Sequence, residues 1–232
     1  GLTDAYAKGP MGVFADRIAG EDQFTREQQD AYALETLTRA QNATNNGKFK
    51  REITPITVKG KKGDTIIDTD ELPRTAMPEK IPTLKPAFSK DGTVTAANAS
   101  AISDGAAALV LMRESEATKR GLKPLARIVA SSSHAHEPEY FTTAPVPAMK
   151  KTLAKAGWKI EDVDLWEVNE AFAVVPMIAM KELGISHDRV NVNGGACAMG
   201  HPIGASGARV LITLIAAMED RGAKKGMASL CI

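Results

Sequence analysis

The chain has few cysteines and no long apolar run, and both absences narrow what it can be. Its 232 residues include two cysteines, Cys197 and Cys231, without paired spacing. This excludes a disulfide framework and a cysteine-based zinc site and is typical of a reducing compartment, so we predict a cytoplasmic protein. No apolar run reaches the roughly 18 residues that a membrane-spanning helix needs, so we expect no membrane insertion.

An excess of one sign of charge is also missing. Lysine and arginine total 29, and aspartate and glutamate total 28, whereas nucleic-acid-binding proteins usually carry a basic excess. We therefore expect no nucleic-acid partner. The histidines lack the spacing of metal ligands, and His134, His136 and His187 lie in polar contexts that indicate solvated loops. The sequence accordingly predicts no metal site.

The N-terminal part of the chain is polar and rich in loops, with one clear helix. Thr25 and Gln28 have the spacing of a capping box, in which two side chains satisfy free backbone amides at a helix start. Short strands are predicted at residues 53–58 and 65–67. Repeated prolines predict an extended connection over residues 73–86, because proline disfavours regular structure at and before its own position.

From Ala101 onward, apolar runs alternate with helical patterns, which is typical of a layered α/β domain. The apolar runs predict strands at residues 106–112, 125–130, 163–168, 190–193 and 226–232. The helical patterns predict helices at residues 146–156, 171–182 and 204–218.

A glycine-rich stretch from Asn191 to Arg209 carries the strongest chemical signal. Within it, His201 lies between Gly200 and Pro202, where a predicted strand leads into a predicted helix. Such a junction presents a side chain near a helix N-terminus, so we interpret His201 as a catalytic residue rather than a structural histidine. The glycines do not indicate a nucleotide loop, since neither a Walker lysine nor a G-x-G-x-x-G fingerprint is present.

Four motifs resemble those of the thiolase family, in the family's order. Residues 95–107 are similar to the segment that closes over coenzyme A, and residues 168–173 to the Asn-Glu-Ala-Phe motif. Residues 193–209 resemble the thiolase signature, and residues 226–231 resemble the strand that ends in the second catalytic cysteine. The resemblance covers essentially the whole chain. It implies an α/β thiolase fold, layered α/β/α/β/α, represented here by the C-terminal half plus most of the loop domain.

The same resemblance implies two domains. Residues 1–118 correspond to the loop (lid) domain and the last strand of the family's N-terminal half. Residues 119–232 correspond to a C-terminal thiolase domain that is truncated at its end. Both chain ends lie inside patterned segments, and no segment matches the one that carries the family's nucleophilic cysteine. We therefore expect the chain alone to be inactive.

For the complete protein, the resemblance implies an acyl-CoA C-acyltransferase. Such an enzyme cleaves 3-ketoacyl-CoA with coenzyme A or condenses two acetyl-CoA molecules, so the thioesters are substrates and no cofactor is expected. The family expectation is a homodimer or homotetramer. A related ketoacyl synthase is disfavoured. That family places a histidine pair around its nucleophile, whereas this chain has Cys231 at its terminal strand. A non-catalytic acyl-CoA- or lipid-binding protein of thiolase fold is the alternative.

The resemblance assigns three catalytic residues. His201 would deprotonate the nucleophile and help to stabilise an oxyanion, and Asn169 would hold a water that donates to the same oxyanion. Cys231 would act as acid and base, which requires surroundings that lower its pKa. The residues alone leave other roles open. Cys231 and Cys197 also suit small core side chains, Asn169 could cap the next helix, and Glu170 could complement its dipole.

The resemblance also implies residues that contact the substrate. Ser100 would hydrogen-bond the pantetheine of coenzyme A, while Met11, Phe141 and Phe172 would line the acyl or pantetheine tunnel. A core role is the alternative for these three apolar residues. Some family members carry a histidine where this chain has Pro10, so no particular short-chain substrate is implied.

Overall fold

The structure is a computed structural model that describes residues 2–231, so Gly1 and Ile232 lie outside the described residues. The α-helices in that range are α1 (Met11–Glu21), α2 (Arg26–Asn45), α3 (Leu72–Thr75), α4 (Glu114–Lys119), α5 (Pro145–Ala156), α6 (Val174–Leu183), α7 (Ala196–Met199) and α8 (Ile203–Arg221). The strands are β1 (Ile56–Val58), β2 (Thr65–Ile67), β3 (Leu165–Val168) and β4 (Gly226–Ser229). Short 3₁₀ helices cover Lys48–Arg51, Pro78–Thr83, Pro138–Tyr140, Ile160–Asp162 and His187–Arg189.

The parallel strands β3 and β4 form the centre of the C-terminal region. Leu165 pairs with Gly226, and Val168 pairs with Ser229. Side chains alternate across a strand, so Trp166 and Val168 face a core shared with α1, α5 and α6. Leu165 faces α8 on the other side. The strand pair therefore lies between two helical layers, as the predicted layered α/β arrangement requires.

Helix α2 begins with the predicted capping box. The Thr25 hydroxyl accepts a hydrogen bond from the Gln28 amide at 3.2 Å, and the Gln28 side chain accepts one from the Thr25 amide at 2.9 Å. Further along the helix, Leu37 packs with Phe49 and with residues of α7. This packing sets the polar side of α2 beside the segment that follows β3, where Tyr32 bonds to a buried carboxylate.

The predicted strands at residues 106–112 and 125–130 are wrong. Both segments are irregular, and their apolar side chains face solvent, with Val110 88% and Leu125 69% exposed. A strand needs a neighbour to pair with its backbone N–H and C=O groups. The part of the chain that the structure describes supplies no such neighbour to either segment.

The predicted strand at residues 190–193 is reduced to a single bridge between Trp166 and Val190. Asn191 has φ of 47°, which turns the chain out of the extended conformation. Its side chain takes the place of a partner strand, because it bonds both the N–H and the C=O of Val168 at 2.8 Å. An amide side chain thus completes this edge of β3.

The segment 73–86 is not an extended connection. It contains most of α3 and the 3₁₀ helix Pro78–Thr83, because Pro73 and Pro78 lie in first turns, where a missing N–H leaves no bond unmade. Helix α1 is absent from the sequence-based expectations, although Phe14 and Ile18 recur at helical spacing on its buried side.

The remaining predicted elements are present with shifted ends. Helices predicted at 146–156, 171–182 and 204–218 are α5, α6 and α8, and strands predicted at 163–168 and 226–232 are β3 and β4. The end of the last prediction, at Ile232, lies outside the described residues. The strands predicted at 53–58 and 65–67 are β1 and β2, which pair as an exposed antiparallel hairpin. None of the described helices has the length and apolar character to cross a membrane.

Candidate functional site

The ends of β3 and β4 bring two of the predicted catalytic residues to one edge of the strand pair. Asn169 directly follows β3, and Cys231 lies two residues beyond the end of β4. The strands are parallel and in register, and the Asn169 amide donates to the Ser229 carbonyl at 2.9 Å. Because carboxyl ends of parallel strands meet at one edge of a sheet, this edge is where such folds build sites.

The glycine-rich loop delivers His201 to the same edge. The His201 amide donates to the Ala101 carbonyl at 3.0 Å, which joins the loop to the segment 95–107. Gly200 has φ of 88°, and a Cβ there would overlap the Ser103 hydroxyl. Glycine is required at this position, because an L side chain is disfavoured at this positive φ and has no room beside Ser103.

Two hydrogen bonds fix the orientation of the His201 ring. Nδ1 lies 2.6 Å from the Ser206 hydroxyl oxygen, and Nε2 lies 3.3 Å from the side-chain nitrogen of Asn169. The Ser206 hydroxyl donates to the Pro202 carbonyl at 3.0 Å, so its oxygen accepts from Nδ1–H. This network favours the tautomer whose Nε2 carries the lone pair, which faces Asn169.

The electrostatics of His201 suit a base. Burial lowers the pKa of His201 below its usual value, because the charged imidazolium is poorly solvated there. The ring is therefore neutral near pH 7, and its Nε2 can accept a proton. Asn169 is 3% exposed, and its side-chain amide is uncharged at every accessible pH. It therefore contributes orientation and hydrogen bonding.

Cys231 is buried, and burial raises the pKa of its thiol to about 12. The surroundings thus change this pKa in the direction opposite to the one expected for a thiolate. At neutral pH the group is a thiol, which is the form that donates a proton. A substrate or a neighbouring cation has to stabilise the thiolate before the same group can remove a proton.

Asn169 does not have the helix-capping role, and Glu170 does not have the helix-dipole role, that the sequence left open. Helix α6 begins at Val174, its N-cap residue is Ala173, and no side chain caps it. The Ala173 amide instead donates to the Asn98 carbonyl at 2.7 Å. Asn169 therefore does not cap the helix, and Glu170 lies before its first turn.

Glu170 is the centre of a fully buried hydrogen-bond network. Its Oε1 accepts from the Tyr32 hydroxyl and from the Asn191 amide, each at 2.8 Å, and from the Thr36 hydroxyl at 2.9 Å. Its Oε2 accepts from the Cys197 amide at 3.0 Å. Burial raises the pKa of Glu170, and these donors oppose the change. The network joins α2, the end of β3 and the glycine-rich loop.

Cys197 is partly buried and packs against a small apolar cluster of Tyr32, Ala173 and Met177. Its thiol lies 3.6 Å from the Glu170 carbonyl oxygen. Burial and the Glu170 carboxylate raise the pKa of Cys197 well above its usual value. This cysteine is consequently a poor nucleophile.

Three of the residues expected to contact substrate belong to one apolar core or pack against it, and Ser100 bonds to the backbone two residues after Asn169. The Ser100 hydroxyl donates to the Ala171 carbonyl at 3.0 Å. Phe172 contacts the Phe141 ring edge-on, with ring centroids 6.1 Å apart, and Met11 packs against the same core. Both rings are buried, so the contacts alone are equally compatible with core packing.

The other three histidines lie away from this edge. His187 is half-buried and stacks on Tyr32 with ring centroids 4.9 Å apart, so the prediction of a solvated side chain is wrong for it. His134 contacts His136 edge-on and lies 3.0 Å from the Lys151 ammonium. No group of His, Cys, Asp or Glu able to hold a metal ion occurs within residues 2–231.

Two residues of the site were not found from the sequence. Ser206 holds His201, and a hydroxyl residue one turn into the helix after His201 is the signal that could have revealed it. Phe88 contacts Phe172 edge-on at 6.0 Å, and a Cβ on Gly12 would overlap its ring. No sequence spacing connects these last three residues.

Two family models and several curated proteins match this chain. The family models described as the thiolase N-terminal and C-terminal domains match residues 1–115 and 122–232. The acetyl-CoA acetyltransferase of Shinella zoogloeoides is 51% identical over 233 residues, covering 100% of this chain and 59% of that protein. The cytosolic acetyl-CoA acetyltransferase of Mus musculus is 49% identical over 235 residues, with the same two shares.

A solved structure is also similar to this chain over its whole length. The crystal structure of the Bacillus anthracis acetyl-CoA acetyltransferase matches with a TM-score of 0.96 and 45% identity, covering 100% of this chain and 59% of that one. The chain thus spans about 59% of the length of these relatives.

Proposed function

Because this chain belongs to the thiolase family and has the α/β fold of its members, we propose that the complete protein is an acyl-CoA C-acyltransferase. It cleaves a 3-ketoacyl-CoA with coenzyme A into two acyl-CoA molecules, or joins two acetyl-CoA molecules in the reverse direction. The coenzyme A thioesters are substrates, and the proposal includes no separate cofactor. One observation carries it: His201 is held by Ser206 and Asn169 at 2.6 and 3.3 Å, at the strand edge where Cys231 lies.

In this proposal His201 is the base that activates the nucleophile. Its neutral ring and the Nε2 lone pair support that role, because the base must accept a proton near neutral pH. The nucleophile itself belongs to the part of the relatives that this chain does not span, since the pKa of Cys197 is raised and that of Cys231 suits an acid. Asn169 orients His201 and holds a water that donates to the oxyanion.

Cys231 acts on the α-carbon of the thioester that leaves in cleavage or attacks in condensation. In cleavage, the bond between the α- and β-carbons breaks and the electron pair stays on the α-carbon of the leaving thioester. The Cys231 thiol then supplies the proton, which its raised pKa supports. In condensation, the same sulfur removes that proton.

The substrate, location and assembly complete the proposal. Ser100 contacts the pantetheine, and Met11, Phe141 and Phe172 line the acyl tunnel. The contact between the two phenylalanine rings and the bond from Ser100 to Ala171, two residues after Asn169, support this placement. The protein is proposed to be cytoplasmic and to be a homodimer or homotetramer. The cytosolic mouse relative supports the first of these two statements.

Cleavage of acetoacetyl-CoA by free coenzyme A tests the proposal, with loss of the enolate absorbance as the readout. The chain alone is compared with a chimera that adds the segments of the Shinella zoogloeoides relative that it does not match. We expect turnover by the chimera and none by the chain alone. Binding of acyl-CoA without turnover by the chimera would instead support a non-catalytic acyl-CoA-binding protein.

A further inference from the structure

Glu167 is a buried acid that the proposed mechanism does not use. It lies on β3 and is 4% exposed. Its neighbours Trp166 and Val168 face the apolar core on one side of the strand, so alternation directs Glu167 and Asn169 to the other side, toward α8. Among residues 2–231, no hydrogen-bond partner reaches the Glu167 carboxyl group, although most buried polar groups have one.

Glu167 lines a small cavity whose wall also contains Asn169 and Ser206, the two residues that are hydrogen-bonded to His201. The cavity has a volume of about 20 Å³, and its walls include Glu167, Asn169, Ser206 and Thr213. Ser206 and Thr213 are two turns apart on the same side of α8. A cavity of this size holds the centre of one water molecule, and the polar side chains in its otherwise largely apolar wall can bond such a water. The one unpartnered acid in the wall and the hydroxyl that holds His201 therefore share a space that fits a single water.

The charges around Glu167 disfavour its ionised form. Glu170 and Glu52 both repel a negative charge at this position, and Arg209 attracts one. Arg209 is already bonded to both carboxylate oxygens of Asp70, at 3.2 and 2.7 Å. Burial raises the pKa of Glu167 well above its usual value, and this balance of charges adds to the change. A neutral carboxyl group also has an O–H to donate, which a carboxylate lacks.

We propose that Glu167 is a positioning residue that is neutral and donates a hydrogen bond to one water in this cavity, which in turn donates to the Ser206 hydroxyl oxygen. That oxygen has a second lone pair free, because its first accepts from His201 Nδ1–H. The added donor holds Ser206 in the orientation that keeps the Nε2 lone pair of His201 toward Asn169. No proton leaves Glu167 in this arrangement. The catalytic consequence rests on the proposed function, whereas the protonation of Glu167 does not.

Infrared spectroscopy of the unmodified chain tests the protonation without any activity. We expect the carbonyl stretch of a protonated carboxyl group to persist at pH 8 and to shift in D₂O. The difference spectrum between the unmodified protein and Glu167→Gln should contain this band, and the difference spectrum for Glu52→Gln should not. Glu52 is the matched control, because it is a nearby, partly buried acid. Burial raises its pKa too, but the hydrogen bond that its Oε2 accepts from Thr213 at 2.8 Å opposes the change. The absence of any such band at pH 8, which needs no variant, would overturn the proposal, as would a band that only Glu52→Gln removes.

Kinetics of the chimera test the positioning role. Glu167→Gln keeps a neutral donor of the same shape, so the pH profile of kcat/KM should be unchanged. Glu167→Leu removes the donor, and kcat should fall about fivefold with KM unchanged. A shifted pH profile for Glu167→Gln, or full activity for Glu167→Leu, would overturn the positioning role. If the chimera has no turnover at all, the proposed function fails while the infrared result still decides the state of Glu167.

Discussion

The Nδ1 atom of His201 lies 2.6 Å from the hydroxyl oxygen of Ser206, which itself donates to the Pro202 carbonyl. This relationship favours Nε2 as the ring nitrogen that is free to accept a proton. Because the Ser206 hydroxyl donates to the Pro202 carbonyl, its oxygen is available to accept from Nδ1–H, which favours the proton on Nδ1 and the lone pair on Nε2. A serine in the first turns of α8 thus determines the chemistry of a histidine that precedes the helix.

Replacing Ser206 with alanine should weaken His201 as a base. The ring loses the partner that fixes its tautomer, and we expect kcat to fall about fivefold, the equivalent of one hydrogen bond, with KM little changed. The measurement is steady-state acetoacetyl-CoA cleavage by the chimera. Ser206→Thr retains the hydroxyl and should recover most of the activity. Equal activity of the alanine variant and the unmodified chimera would contradict the assigned role.

The acidic limb of the pH profile should report His201. A base is active when deprotonated, so kcat/KM rises with pH through the His201 pKa. Since burial lowers that pKa from its ordinary value of 6.5, the midpoint of the limb should lie below 6.5. The pKa of His187 is also lowered by burial, so His187→Gln serves as the control and should leave the limb in place. A midpoint above 6.5 would contradict the tautomer and burial argument.

The two cysteines should react slowly while the protein is folded. Burial raises the pKa of Cys231 to about 12 and that of Cys197 well above its usual value, and the thiolate is the reactive form. Iodoacetamide at pH 8, followed by mass spectrometry, should therefore label neither thiol at the rate of a free cysteine. The same treatment in denaturant is the control and should label both. Rapid labelling of Cys231 in the folded chain would show that its thiol is not protected by burial.

Removing the Glu170 carboxylate should destabilise the fold more than removing a surface acid. Glu170→Leu leaves buried donors of Tyr32, Thr36 and Asn191 without their acceptor, so the free energy of unfolding should drop by about 3 kcal/mol or more. Urea denaturation measures the difference. Glu161 is exposed, and Glu161→Leu should change stability by no more than about 0.5 kcal/mol. Similar effects of the two substitutions would remove the network's stabilising role.

Local features of the sequence were the ones that predicted structure correctly. The capping box at Thr25 and Gln28 needs only contacts within one turn, and it is present as predicted. The strands at 106–112 and 125–130 failed because a strand depends on a partner that the apolar pattern does not reveal. The predicted strand at 190–193 failed because Asn191 has a positive φ and bonds through its side chain to Val168, which is distant in the sequence.

In the site, too, the sequence predicted individual residues but not the surroundings that depend on tertiary packing. The motifs marked His201 and Asn169, and their side chains meet at 3.3 Å. The direction of the Cys231 pKa could not be predicted, because it depends on how deeply the end of β4 is buried. The cavity that joins Glu167 to Ser206 could not be predicted either, since it arises from the packing of α8 against β3.

In the proposed function, His201 serves acyl transfer, whereas Cys231 serves only the carbon–carbon step. Acetyl exchange between acetyl-CoA and isotopically labelled coenzyme A forms no carbon–carbon bond, so it separates the two roles when measured beside acetoacetyl-CoA cleavage in the chimera. We expect Cys231→Ala to abolish cleavage but keep exchange, and His201→Ala to lose both. Loss of exchange in Cys231→Ala, or cleavage surviving in it, would contradict the account.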